Sequence, residues 1–124
     1  MARVHYLKKS EGEVVVKCYD NASAPDPIDI SLADLATSSQ TFDANNAFVS
    51  VKEIFWGAKK DKQIDITRKD PDSANTHGHY FLIGAGSYDY DGFVDDVYPD
   101  WDIRIIADGP FHVILKLNKT EGYE

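Results

Sequence analysis

The chain has 124 residues and a mass of 13.9 kDa, about one domain, which is long enough to bury a sizeable core. With 43% apolar and 12% aromatic residues it is not a disordered chain, and no run approaches the roughly 20 apolar residues of a membrane-spanning helix. A net charge of −8 argues against nucleic acid or an anionic membrane as partner, and the single Cys18 excludes an internal disulfide framework and any multi-cysteine zinc site.

In chain order the dominant period is two, the mark of strands with one face toward a core. Met1–Tyr6 carries no apolar run, so no signal peptide is expected. Arg3–Lys9 and Glu13–Asp20 flank Ser10-Glu11-Gly12 and read as a hairpin, with Val14, Val16 and Cys18 on one parity. Asn21–Pro27 is a loop with two prolines, and Ile28, Ile30 and Leu32 alternate with Asp29 and Ser31. Ser31–Ser38 offers one helical turn, Ser31 at its N-cap and Asp34 three residues on. Ala47–Trp56 is strand-like but changes phase at Lys52-Glu53, as a β-bulge would make it do. After the basic turn Gly57–Lys62, Ile64 and Ile66 alternate with polar residues. Asp70–Gly78 is a polar loop, and His79–Ile83 is almost wholly apolar. Gly84–Asp100 reads as a long connection. Trp101–Ile105 and Phe111–Leu117 alternate cleanly about Asp108-Gly109-Pro110, which reads as a second hairpin turn.

About eight strands and no repeat predict an all-β chain: one antiparallel β-sandwich over 1–124, jelly-roll-like or Greek-key, with at most one short helical turn. Its expected core is Val14, Val16, Ile30, Val49, Val51, Ile64, Ile66, Phe81, Ile83, Ile103, Ile105, Val113, Leu115 and Leu117.

The charge is uneven. Residues 1–69 hold ten basic and ten acidic residues, whereas 70–124 hold three and eleven, so the whole excess lies in the later part. Most of it is in Ser87–Asp102, which carries six Asp and no Lys or Arg. Tyr88, Asp89, Tyr90, Asp91, Phe93, Asp95, Asp96, Tyr98 and Trp101 there combine acid with the aromatic residues enriched in protein interfaces, so this segment is the expected interaction loop. The basic turn Lys59, Lys60 and Lys62, with Arg68 and Lys69 nearby in sequence, is its natural counterpart on another copy or another protein.

Other chemistries are thinner. Asp89, Asp91, Asp95 and Asp96 around Gly92 resemble the start of a calcium loop, but one oxygen position and the terminal Glu are missing. His77 and His79 would share a strand face and could hold a metal only with a third ligand, the start of a metal-dependent hydrolase. Cys18 lies on an apolar parity, and no nucleophile elbow, phosphate loop or dinucleotide fingerprint is present. No cofactor, resident metal or enzymatic activity is expected.

Three stretches carry a family resemblance. The opening Met1-Ala2-Arg3-Val4 with Gly12–Lys17, the middle Glu53–Gly57 with Asp65–Arg68, and the close Asp91–Asp96 with Asp108–Leu117 resemble small virion proteins of marine tailed bacteriophages, including those of cyanobacteria. The resemblance spans most of the chain and carries no functional residues over. It implies a non-enzymatic structural protein of the virion, assembled in the host cytoplasm. The expected role is a capsid decoration or cement protein that bridges and stabilises capsomers. Its partners would be the major capsid protein or other virion proteins, with a homo-oligomer on the particle. The alternatives are a neck or tail component, or a glycan-binding sandwich using Tyr88–Trp101.

Overall fold

The computed structural model describes residues 3–90 and 97–124. Among the described residues there are nine strands: β1 (Arg3–Lys9), β2 (Glu13–Asp20), β3 (Ile28–Ile30), β4 (Phe48–Ala58), β5 (Gln63–Lys69), β6 (Thr76–Ile83), β7 (Ala85–Asp89), β8 (Asp102–Ala107) and β9 (Phe111–Glu121). They form a five-stranded sheet in the order β1-β2-β9-β4-β7 and a four-stranded sheet in the order β3-β8-β5-β6, every pairing antiparallel. The all-β sandwich expected from the period-two pattern is what the chain forms.

The alternating residues of both sheets meet between them. Val14, Val16, Cys18, Val49, Val51, Ile54, Val113, Leu115 and Leu117 come from one sheet, and Ile28, Ile30, Ile64, Ile66, Leu82, Ile103 and Ile105 from the other, all buried. Leu32 and Leu35 cap one side of the core from a 3₁₀ turn, Leu32–Leu35. Ser31 precedes that turn, as its sequence suggests, yet its side chain makes no capping bond; the Leu32 amide donates to Asp102 Oδ1 at 3.0 Å. The phase change in β4 is a bulge. Val51 faces Leu117 and Glu53 faces Lys116, with Lys52 the extra residue, so Val51 and Ile54 both reach the core.

Three sequence readings need correction. Phe81 and Ile83 do not face the core. They are 61% and 64% exposed on the outer face of the four-stranded sheet, and Leu82 between them is fully buried. Asp108-Gly109-Pro110 does not close a hairpin, because β8 and β9 belong to different sheets; the turn arches across the sandwich. Gly57–Lys62 likewise carries the chain from β4 to β5 in the opposite sheet. The Gly84–Asp100 connection contains a ninth strand, β7, which joins the edge of β4. Between β6 and β7 the chain changes sheets through Gly84 alone, at φ +69°, where a side chain would be strained.

Arg68 is the largest buried polar side chain, 1% exposed. It follows Ile64 and Ile66 on the inward parity of β5. Its guanidinium donates to Trp101 O at 3.0 Å, Pro99 O at 2.8 Å and, across the sandwich, Val49 O at 3.2 Å. Replacing it takes a charged donor from three carbonyls, of which Pro99 O keeps the Val49 amide. Arg68→Met is expected to lower unfolding free energy by at least about 3 kcal/mol in urea melts, whereas Lys69→Met should move it by less than about 0.5 kcal/mol.

Candidate functional site

The expected interaction loop divides into parts with different surroundings. Tyr88 and Asp89 lie on β7, paired with Ile54 and Glu53. Tyr90 follows, its amide donating to Lys52 O at 3.1 Å and its ring half-buried against the core. Tyr98 and Trp101 sit at the far end, where Trp101 N donates to Tyr98 O at 3.1 Å in a turn that places Tyr98 at φ 49°. Asp91, Phe93, Asp95 and Asp96 lie outside the described residues, and with them three of the four carboxylates of the calcium reading.

The described aromatics form a belt along one side of the sandwich. Its ring-to-ring steps run Trp56–Tyr88 at 5.1 Å, Tyr88–Tyr90 at 6.3 Å, Tyr90–Tyr80 at 5.7 Å and Tyr80–His79 at 5.3 Å. It continues His79–His77 at 5.6 Å, His77–Tyr98 at 5.1 Å and Tyr98–Trp101 at 4.0 Å. The belt crosses from the edge strand of one sheet, β7, to the edge strand of the other, β6, and thereby closes the seam between them. Trp56 Nε1 also donates across it to Ile83 O at 3.2 Å. Trp56, Tyr80 and the two histidines join the expected loop here. Their own alternation was the available signal, but only the sheet change at Gly84 brings β6 beside β7.

His77 and His79 do approach one another, yet their rings meet edge-on and each has another aromatic neighbour. A bulge explains the placement: Ile66 faces Tyr80 and Thr67 faces Gly78, leaving His79 as the extra residue. Its Nε2 lies 2.9 Å from Val97 O. Among the described residues no group of three or more His, Cys, Asp or Glu gathers in a metal-binding arrangement. Burial pushes the Cys18 thiol up to about 12, the reverse of what activates a nucleophile.

The basic turn Lys59, Lys60 and Lys62 is a tight one, with Lys62 N donating to Lys59 O at 3.0 Å and Asp61 at φ 66°. It lies at the Ala58 end of β4, whereas Tyr98 and Trp101 lie at the Phe48 end, where Val49 N donates to Pro99 O at 3.0 Å. About 30 Å of strand separates the two. Within one molecule they do not meet. Arg68, read as part of this basic patch, is instead buried between the sheets.

Elsewhere the surface charges pair locally. Glu13 accepts from Lys8 Nζ at 2.9 Å and faces Lys52 and Lys116 at 3.7 and 3.9 Å. That hydrogen bond from Lys8 holds its carboxyl below the ordinary range, the other two lysines adding to it against partial desolvation. Asp29 is held low by a bidentate Arg104 fork, at 2.6 and 2.9 Å.

Two comparisons with known proteins were negative: no protein-family model matches the chain, and no curated protein matches it. No helix among the described residues is long and apolar enough to cross a membrane.

Two outcomes follow from the titrations. Glu13 and Asp29 bind protons less tightly folded than unfolded, so their stabilisation is complete above the ordinary carboxylate range and fades as pH falls through about 4. Urea midpoints should therefore drop below that pH, and Glu13→Gln with Asp29→Asn should flatten the drop. The Cys18 thiol should resist iodoacetamide at pH 8 in the native protein and react within minutes once urea unfolds it.

Proposed function

We propose that the chain is a non-enzymatic structural protein of a virion, and that it decorates the capsid shell by bridging neighbouring capsomers. The observation that carries this reading is the outward apolar row of the four-stranded sheet. Phe81 and Ile106 flank Asp65 on adjacent strands, Ile83 follows on β6, and the three apolar side chains are 61%, 37% and 64% exposed. Period-two alternation normally puts polar residues on such a face. A sheet that turns Phe and Ile outward while keeping Leu82 inside is built to be covered by another protein.

The resemblance to small phage virion proteins supplies the setting. The aromatic belt fits it as well. Tyr98 and Trp101 are stacked on each other at 4.0 Å, and Tyr90 packs on the core, so these rings buttress the protein more than they offer a platform for sugar rings. That favours a protein contact over the glycan alternative. Many copies at symmetry-related positions would multiply modest contacts into avidity.

The test is to purify particles produced by the genome that encodes the chain and measure copies per particle by quantitative mass spectrometry. Stoichiometric copies support the reading, and absence from the particle overturns it. In a rebinding assay on particles lacking the chain, Phe81→Ser with Ile83→Ser is expected to weaken binding at least about tenfold, with the thermal midpoint unchanged or raised.

A further inference from the structure

The outer face of the five-stranded sheet has two halves of different character. Toward the β1–β2 turn its charges pair with one another: Glu13 meets Lys8, Lys52 and Lys116, and Glu53 meets Lys116. Toward the opposite end two neighbouring rows point outward, and no bulge interrupts either. Tyr19, His112 and Gly57 form one row, and Lys17, Ile114 and Phe55 the next. Cys18, Val113 and Leu115 alternate with them and are buried.

At this end the sheet and its loops enclose a hollow of about 710 Å³, with Lys17, Tyr19, Lys59, Pro110, His112 and Ile114 among its walls. The His112 imidazole lies against the bare backbone of Gly57, where a Cβ would collide with it. Any larger residue would lift that ring into the hollow. Lys17 and Lys59 bring two cations, and neither ammonium has a carboxylate or carbonyl partner among the described residues. Lys17 Nζ rests over the Tyr19 ring, 5.3 Å from its centroid, which holds the charge on this face without neutralising it. The carboxylate on the hollow, Asp20, is 4% exposed and accepts from the Ala22 amide at 2.9 Å. Beside the cations lies apolar surface: half-buried Ile114 and, paired with it across β4 and β9, Phe55 at 45% exposed.

We infer that this hollow docks an acidic peptide segment of a partner protein, its carboxylates on Lys17 and Lys59 and an apolar side chain on Phe55, Ile114 and the open face of His112. Charge complementarity carries the choice. In a chain of net −8, cations left without carboxylates on one face select an anionic partner. The other occupants fit worse. A small anion would meet the two lysines and leave Phe55 and Ile114 uncovered. A neutral glycan makes no use of two ammonium groups, and nucleic acid is repelled by the rest of the molecule. Phe81, Ile83 and Ile106 lie on the outer face of the other sheet, so both surfaces can be occupied at once. The inference goes beyond the virion reading and does not rest on it.

The test is a titration of the isotope-labelled full chain, followed through its backbone amide resonances, with a blocked pentapeptide of four Glu about a central Phe. Saturable shifts at Lys17, Tyr19, Gly57 and His112 are expected, half-complete below about 1 mM peptide at low ionic strength and weaker as salt rises. The same peptide with Gln for Glu should bind at least about tenfold more weakly. Lys17→Glu and Lys59→Glu should each have the same effect, whereas Lys60→Glu, an equal charge change outside the hollow, should stay within about twofold. Circular dichroism of each variant confirms the fold. Unmoved resonances, a Gln peptide that binds equally, or a Lys60→Glu variant as weak as the other two overturns the site. Inorganic phosphate that saturates the same amides more tightly than the peptide overturns the peptide as occupant. Shifts there that track protein concentration alone put a second copy in the hollow and overturn the partner.

Discussion

The sandwich hangs on one buried cation. Arg68 projects from β5 into the space between the sheets and holds carbonyls of β4 and of the 97–101 segment at once. A guanidinium can do this because its donors fan out in one plane and stay charged at any working pH. The carbonyls stand in for the water it has lost. The consequence reaches the belt: fixing Pro99 O and Trp101 O fixes the turn that carries Tyr98, and Tyr98 carries the stack onward to His77 and β6. A second buried cation does the same work at another edge of the core. Lys119 donates to Leu35 O at 2.8 Å and Gln40 Oε1 at 2.6 Å, tying β9 to the 3₁₀ turn.

Much of this was legible in the sequence, and the failures have definite causes. Val14, Val16, Val113, Leu115 and Leu117 declare their inward parity because the opposite parity of each run carries polar residues, Glu13 and Lys17 about Val15 and His112 and Lys116 about Ile114. Phe81-Leu82-Ile83 declares nothing, since three apolar residues in a row have no phase, and the bulge at His79 removes the only reference upstream. Arg68 shared the parity of Ile64 and Ile66, so its burial was written in the alternation, but its charge and its neighbour Lys69 pointed the other way. Asp108-Gly109-Pro110 has the local chemistry of a turn and forms one; which sheet the next strand enters is decided by distant partners. β7 was hidden by Gly84-Ala85-Gly86 and by Asp89, a composition poor in strand formers. It forms because the far edge of β4 offers it a ladder.

The candidate surfaces follow from the same geometry. A five-stranded sheet over a four-stranded one cannot cover itself evenly. One edge strand overhangs, and the chain has placed its cations there. At the other side the belt of rings shuts the seam, so the sheets do not gape where β6 gives way to β7. The outward Phe81, Ile83 and Ile106 then form an exposed apolar row on the outer face of the four-stranded sheet. Sheet face and sheet edge are therefore separate surfaces, and the proposed capsid contact uses only the first.

The position of β9 sets how the molecule must come into being. It lies at the centre of the five-stranded sheet, between β2 and β4, so Val14 must find Leu117 across nearly the whole intervening chain. Such distant pairings are closed late and slowly, after the entropy of a long loop has been overcome. On the ribosome, β2 and β4 emerge with their shared neighbour still unmade, and Val14, Val16, Val51 and Ile54 wait without a completed sheet. The hairpin of β1 and β2 can form early; the sandwich cannot, until its most central strand arrives after all the others.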